Sequence, residues 1–197
     1  MGRKRRTPLI TGLTATVVVA LAAGLYWFQP WKLWQDETVT EALPGTVVDV
    51  SRDPAAQPGE SPSPAAQPGE SPSPSAPTGP VTVSSGDLIS HEHTTTGTVR
   101  LVRLADGSHV IRLERLDTSN GPDLRVWLTD APVKEGRAGW HVFDDGAHVS
   151  LGKLKGNKGS QNYPLPDGVD PSRYTSVTIW CDRFDVSFGA AALTDAG

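Results

Sequence analysis

Hydrophobic positions fall into three regimes along the chain. Residues 9–28 carry no charge and are dominated by Leu, Val and Ala, and a run of that length is about what a helix needs to cross ~30 Å of hydrocarbon. From about residue 51 to Pro80 large apolar side chains are missing, and from Val81 onward they return in short runs that alternate with polar residues. Residues 98–104 (TVRLVRL) and 110–116 (VIRLERL) interleave apolar with polar side chains, with Ala105-Asp106-Gly107-Ser108 between them, which predicts a β-hairpin. Residues 124–128, 149–154, 176–181 and 184–188 continue the series, punctuated by Asn120-Gly121-Pro122, Asp145-Gly146, Gly156-Asn157 and Asp167-Gly168. No segment of this part has a helical period. Short strands at this spacing predict an all-β domain, an antiparallel β-sandwich over residues 81–197.

The amino terminus adds direction to the apolar run. Arg3, Lys4, Arg5 and Arg6 precede it, and Tyr26, Trp27, Trp31 and Trp34 mark its far end. Cations stay on the cytoplasmic side and aromatic rings favour the opposite interface, so residues 1–8 read as a cytoplasmic basic segment, 9–28 as a single transmembrane anchor, and everything beyond as extracytoplasmic. A cleaved secretory signal is the alternative, because Ala20, Ala22 and Ala23 offer a small-residue cleavage site; the domain would then be secreted. Either route exports it.

Between anchor and domain, residues 29–80 read as a juxtamembrane segment and tether. Residues 54–63 (PAAQPGESPS) are repeated without change at 64–73. Such a segment buries too little apolar surface to offset the entropy of ordering, which predicts a disordered, partly polyproline-like spacer. No PxxP with a neighbouring cation stands in it, so a peptide-recognition role has little support.

Composition narrows the functions. A net charge of −4, with the clustered cations confined to the extreme amino terminus, gives no polybasic surface for nucleic acid. One cysteine, Cys181, excludes an internal disulfide framework and a CxxC-type zinc site. The glycine-rich basic stretch 152–159 lacks the order of a phosphate-binding loop and reads as strand, turn, strand. Asp144-Asp145, and Asp167 with Asp170, do not match a calcium loop, and no GxSxG elbow appears.

Within Val177-Thr178-Ile179-Trp180-Cys181, a period of two puts Val177, Ile179 and Cys181 on one face, and Thr178 and Trp180 on the other. A thiol on the apolar face fills core space. Asp182-Arg183 follows at once and should begin a turn, placing the sulfur near a rim, where a guanidinium favours the thiolate and Asp182 opposes it.

The succession HTTTG at 93–97, DG at 106–107, NGPDLRVWL at 120–128, LGKLKGNKGSQNYPLP at 151–166 and SVTIWCDRFDVSFGAAAL at 176–193 resembles the DM-thirteen domain. That family is also called the electron-transfer DM domain and is known from Skeletor-type proteins. The resemblance spans nearly the whole exported domain and none of the anchor or tether. It implies an extracytoplasmic β-rich module engaged in redox work, with the cysteine as a bare thiol or as ligand to a prosthetic group such as haem.

A lone thiol cannot run an intramolecular dithiol cycle, so a redox role for Cys181 needs a partner thiol, a sulfenic acid stage or a bound cofactor. Haem needs an axial ligand and an apolar pocket. His93, at the family position, is the second candidate. His91 shares its face if the segment is extended, and copper could use Cys181 with one or both histidines; without such a role, residues 91–93 are a solvated strand edge. Two functions follow: a membrane-anchored electron-transfer module centred on Cys181 with an extracytoplasmic redox partner, or a non-catalytic binding or adhesion module in which Cys181 is structural.

Overall fold

The computed structural model describes residues 6–45 and 79–196. Helix α1 (Arg6–Phe28) leads. The stretch Leu13–Lys32 has a mean hydropathy of 1.4 and none of it is buried; Leu13, Val17, Val18, Leu21 and Leu25 all point outward. A helix that is apolar all round suits lipid rather than one face of a core, and this one is long enough to cross a membrane as an anchor or to serve as a signal. Tyr26, Trp27 and Trp31 are exposed at its end. Gln29, in the left-handed region at φ 43°, stops the helix, and Pro30–Trp34 forms one 3-10 turn.

Among the described residues eleven strands follow: β1 (Thr38–Thr40), β2 (Val81–Asp87), β3 (Ile89–Ser90), β4 (Thr96–Arg103), β5 (His109–Asp117), β6 (Leu124–Thr129), β7 (His148–Lys153), β8 (Lys158–Pro164), β9 (Ser176–Cys181), β10 (Val186–Ala192) and β11 (Thr194–Asp195). One sheet runs β1-β8-β5-β4-β2-β11 and the other β3-β10-β9-β6-β7. The sandwich is therefore as predicted, and antiparallel apart from the β1–β8 pair, which is parallel. The β4–β5 hairpin is present, closed by Leu104 N donating to Ser108 O and Gly107 N to Leu104 O. Residues 152–159 do form strand, turn and strand, but the turn carries the chain from one sheet to the other.

The core lies between the sheets. Val99, Leu101, Ile111 and Leu113 from the first meet Val126, Leu128, Val177, Ile179, Cys181 and Phe188 from the second. Alternation alone would carry Leu116 outward, because Ile111 and Leu113 already set the phase. The register of β5 against β8 slips between Leu113 and Leu116, Arg115 takes φ 50°, and Leu116 returns to the interior at 2 % exposure. This is how a bulge re-aims a side chain.

The second sheet is buried on both faces. Trp127, Ala131, Phe143, Trp180 and Ala190 form a separate cluster on its outer side, where Ala131 and Phe143 come from the long connection between β6 and β7. Every residue of β9 is consequently buried. The period-two assignment of Cys181 and Trp180 to opposite faces holds, but each face has its own core.

Strand β1 lies in the stretch that the sequence groups with the tether. A three-residue strand with one apolar side chain, Val39, leaves no alternation to read. The extended spacer expected over the decapeptides, 54–73, falls outside the described residues.

Candidate functional site at the end of the second sheet

Cys181 is the last residue of β9, opposite Leu124 of β6 and Val186 of β10. Its side chain is 0 % exposed and packs in the inter-sheet core. Burial pushes the thiol above its ordinary pKa; the amide groups of Arg183, Phe184 and Asp123 pull it back, and the Glu92 carboxylate adds to the rise. The chain turns immediately, with Phe184 N donating to Cys181 O at 3.2 Å and Asp185 at φ 51°. The rim predicted from Asp182-Arg183 is thus where it should be, with the sulfur just beneath it. Arg183 turns away toward α1: its guanidinium lies over the Trp27 ring at 5.3 Å and donates to the Trp27 carbonyl. Arg125 holds Asp182 at 2.9 Å.

His93 stands at the same end. Its ring is tilted on Phe188, centroids 3.9 Å apart, and its Nε2 is 3.7 Å from Glu92 Oε2. Burial holds the imidazole below its ordinary pKa, and the Glu92 charge opposes this. His93 and Glu92 wall a cleft of about 380 Å³ with Phe28, Pro30, Phe184 and Phe188. Phe28 and Phe184 stack across it at 5.8 Å. Cys181 does not line this cleft but shares a core cluster with Phe188, which does. Sequence reasoning missed the aromatic walls. Phe184 and Phe188 read as the ends of one strand run, and Phe28 as the end of the anchor.

His91 is elsewhere. The segment bends after β3, so the extended geometry that would put both imidazoles on one face is absent. His91 is buried on the outer side of the second sheet, stacked on Phe143 at 5.7 Å. Its Nε2 lies 3.0 Å from Lys134 O, an acceptor, so Nε2 carries the proton and Nδ1 accepts from Ser187 Oγ at 2.7 Å. Thr178 extends the network to Ser187 at 2.8 Å. Burial lowers the His91 pKa, which suits a neutral ring held in a polar network. Only His93 retains a solvated edge.

These positions decide what the site fits. A haem-type group asks for an imidazole or thiolate in an apolar cleft; the cleft offers His93 among aromatic and proline walls, and its volume lies within the range of small-ligand sites. The Cys181 sulfur, fully buried and not among the residues that line the cleft, offers no lone pair to it in this conformation. A copper set of Cys181, His91 and His93 finds both His91 nitrogens engaged, and among the described residues no three His, Cys, Asp or Glu side chains group as metal ligands.

Fold and site together define a two-sheet β module carrying a buried thiol beneath one rim and an aromatic cleft with an imidazole beside it. Residues 87–193 match the electron transfer DM13 family, and the chain belongs to that family. No curated protein and no solved structure was found to match it.

Proposed function

We propose that this chain is a membrane-anchored extracytoplasmic electron-transfer module whose redox work centres on the end of the second sheet that holds Cys181 and His93. Residues 9–28 are the retained anchor, the amino terminus is cytoplasmic and the β domain faces outward. The observation that carries this is the position of the family's cysteine directly beneath a rim whose cleft is walled by aromatic rings and His93. His93 would hold a planar prosthetic group such as haem, and that group would supply one-electron chemistry. Burial favours the neutral His93 ring, the form with a nitrogen lone pair to give, and Phe28, Phe184 and Phe188 line the cleft with aromatic surface. Cys181, buried in the core, reaches a ligand only if the turn at 182–185 moves aside.

Absorbance of the full-length chain, purified with its anchor and reconstituted with haem, tests this. A chromophore that binds the parent chain, is lost in His93→Ala and shifts in Cys181→Ser, with the far-ultraviolet β signature unchanged in both, is expected. A second function has its own support in the complete burial of Cys181 and its raised pKa: a non-catalytic binding or adhesion module with a structural cysteine. No chromophore in any reconstitution, together with loss of fold in Cys181→Ser, would establish that one instead.

A further inference from the structure

The groove that receives β1 is built for a strand. Val39 lies opposite Gly159 and Thr38 opposite Lys158 in parallel register. Gly159 sits at φ +96°, and a Cβ there would stand 2.0 Å from Val39 O; one on Gly156 would stand 2.4 Å from Glu37 O. Only glycine at both positions lets the two backbones approach. Main-chain bonds follow, with Lys158 N donating to Glu37 O at 3.1 Å and Glu41 N to Ser160 O at 2.8 Å.

Side chains on the domain then read the ends of the segment. Asn157 accepts from Glu37 N at 2.7 Å through Oδ1 and donates to Asp36 at 2.8 Å through Nδ2. Asn162 donates its main-chain N–H to Glu41 Oε2 at 2.7 Å and its Nδ2 to Ala42 O at 2.8 Å. Lys155 holds Glu41 at 2.7 Å, and Lys158 holds Asp36 at 3.2 Å. Arg112 donates to Glu41 O at 3.1 Å. This is recognition of an extended acidic peptide by addition to a sheet edge: main-chain bonds hold it and polar side chains fix its register. Both β1 and the segment's acids lie outside the family match at residues 87–193.

The chain path gives the groove a purpose. A Cβ on Gly45 would lie 3.4 Å from Pro80 Cγ, so the chain leaves the domain and returns to it at one point. Residues 46–78 therefore do not lie on the path from helix to domain surface. Residues 29–37 do, and nine residues reach at most roughly 30 Å, whereas residues 29–80 unlatched would reach roughly 180 Å.

We propose that residues 36–42 are an intramolecular latch: an acidic strand that the domain binds as a ligand in the Gly156–Asn162 groove, so that a chain cut within residues 46–78 keeps its domain. Release then takes two events, cleavage and departure of the strand. That the latched domain sits at the membrane face rests on the retained anchor proposed above; the latch itself does not.

The test uses the full chain with an amino-terminal tag and a specific protease site in place of residues 64–73. Tag and domain in the membrane fraction before cutting establish the anchor separately. After complete cutting in detergent micelles, the carboxy-terminal fragment is expected to co-elute with the tagged fragment, and to separate from it in Asp36→Lys/Glu41→Lys, whose reversed charges face Lys158 and Lys155. Separation of the parent fragments overturns the latch. So does co-elution that survives the charge reversal, which would assign the attachment to the contacts of α1 with Phe184 and Arg183.

Discussion

At the scale of single residues, the behaviour of Cys181 follows from its surroundings rather than its type. A thiol with no exposed surface and a pKa raised by burial is a poor nucleophile, because the thiolate is the reactive form. An uncharged, water-soluble thiol reagent should leave the folded protein unlabelled and react at the rate at which the domain opens. Rapid labelling without denaturant would show a rim that yields easily, and would favour direct thiol chemistry. Histidine sets the acid response. Burial lowers the pKa of both His91 and His93, so the folded state takes up these protons less readily than the unfolded chain. Their contribution is fully present above the unfolded value of about 6.5 and is lost as pH falls through the lower folded values. Urea midpoints should accordingly fall below that pH. His91→Gln, which keeps an uncharged hydrogen-bonding side chain, should flatten the dependence.

At the scale of elements, legibility in the sequence tracked how long a strand is and how many faces it buries. The β4–β5 hairpin could be read because its two strands are long and its turn carries Asp106-Gly107. The face on which Cys181 lies followed from the phase of Val177 and Ile179, while its exposure, with a turn following at once, did not. The outer cluster could not be read: it is assembled from Trp127, Trp180, which the period of two placed opposite the apolar face, and Phe143 in an irregular connection without period. His93 came from family resemblance, and its aromatic neighbours Phe28 and Phe184 come from distant parts of the chain that no local pattern joins. Trp180 tests the weight of that outer cluster. It is completely buried, 5.0 Å from Trp127 and edge-on to Phe143 at 6.4 Å, and large-to-small changes at such sites cost about 3–5 kcal/mol. Trp180→Ala should lower the unfolding free energy by that amount in a denaturant titration. A loss under about 1 kcal/mol would mean that the 130–147 connection is not a true second layer.

At the scale of the whole molecule, the latch and the core should answer acid separately. Asp36 is held below the ordinary carboxylate range by its hydrogen bonds to Asn157 and Lys158, and Glu41 by its hydrogen bond to Lys155 against a partial desolvation. Depressed carboxylates contribute fully above their unfolded pKa of about 4 and lose that contribution as pH falls through the folded values. Lys158 works in the opposite sense: Asp36 and Asp117 raise its pKa, so its share persists to strongly alkaline pH. Across neutral pH the latch is therefore fully charged on both sides, and because its ion pairs are solvent-exposed, salt rather than protons should weaken it. Amide exchange at Lys158 and Glu41, whose protons bond Glu37 O and Ser160 O, reports on the latch alone. At pH 7 those amides should exchange faster as salt is raised from 0.05 to 1 M (about a threefold fall in screening length or more), while the amides of β9 stay protected. On acidification the β9 amides should weaken first, below about 6.5 through the histidines, and the latch amides gain a further loss only near the carboxylate range. Asp36→Asn together with Glu41→Gln should remove that lower step and leave the upper one. If both sets of amides respond together to salt and to acid, β1 is an integral strand of the sandwich and the domain has no separable hold on its anchor.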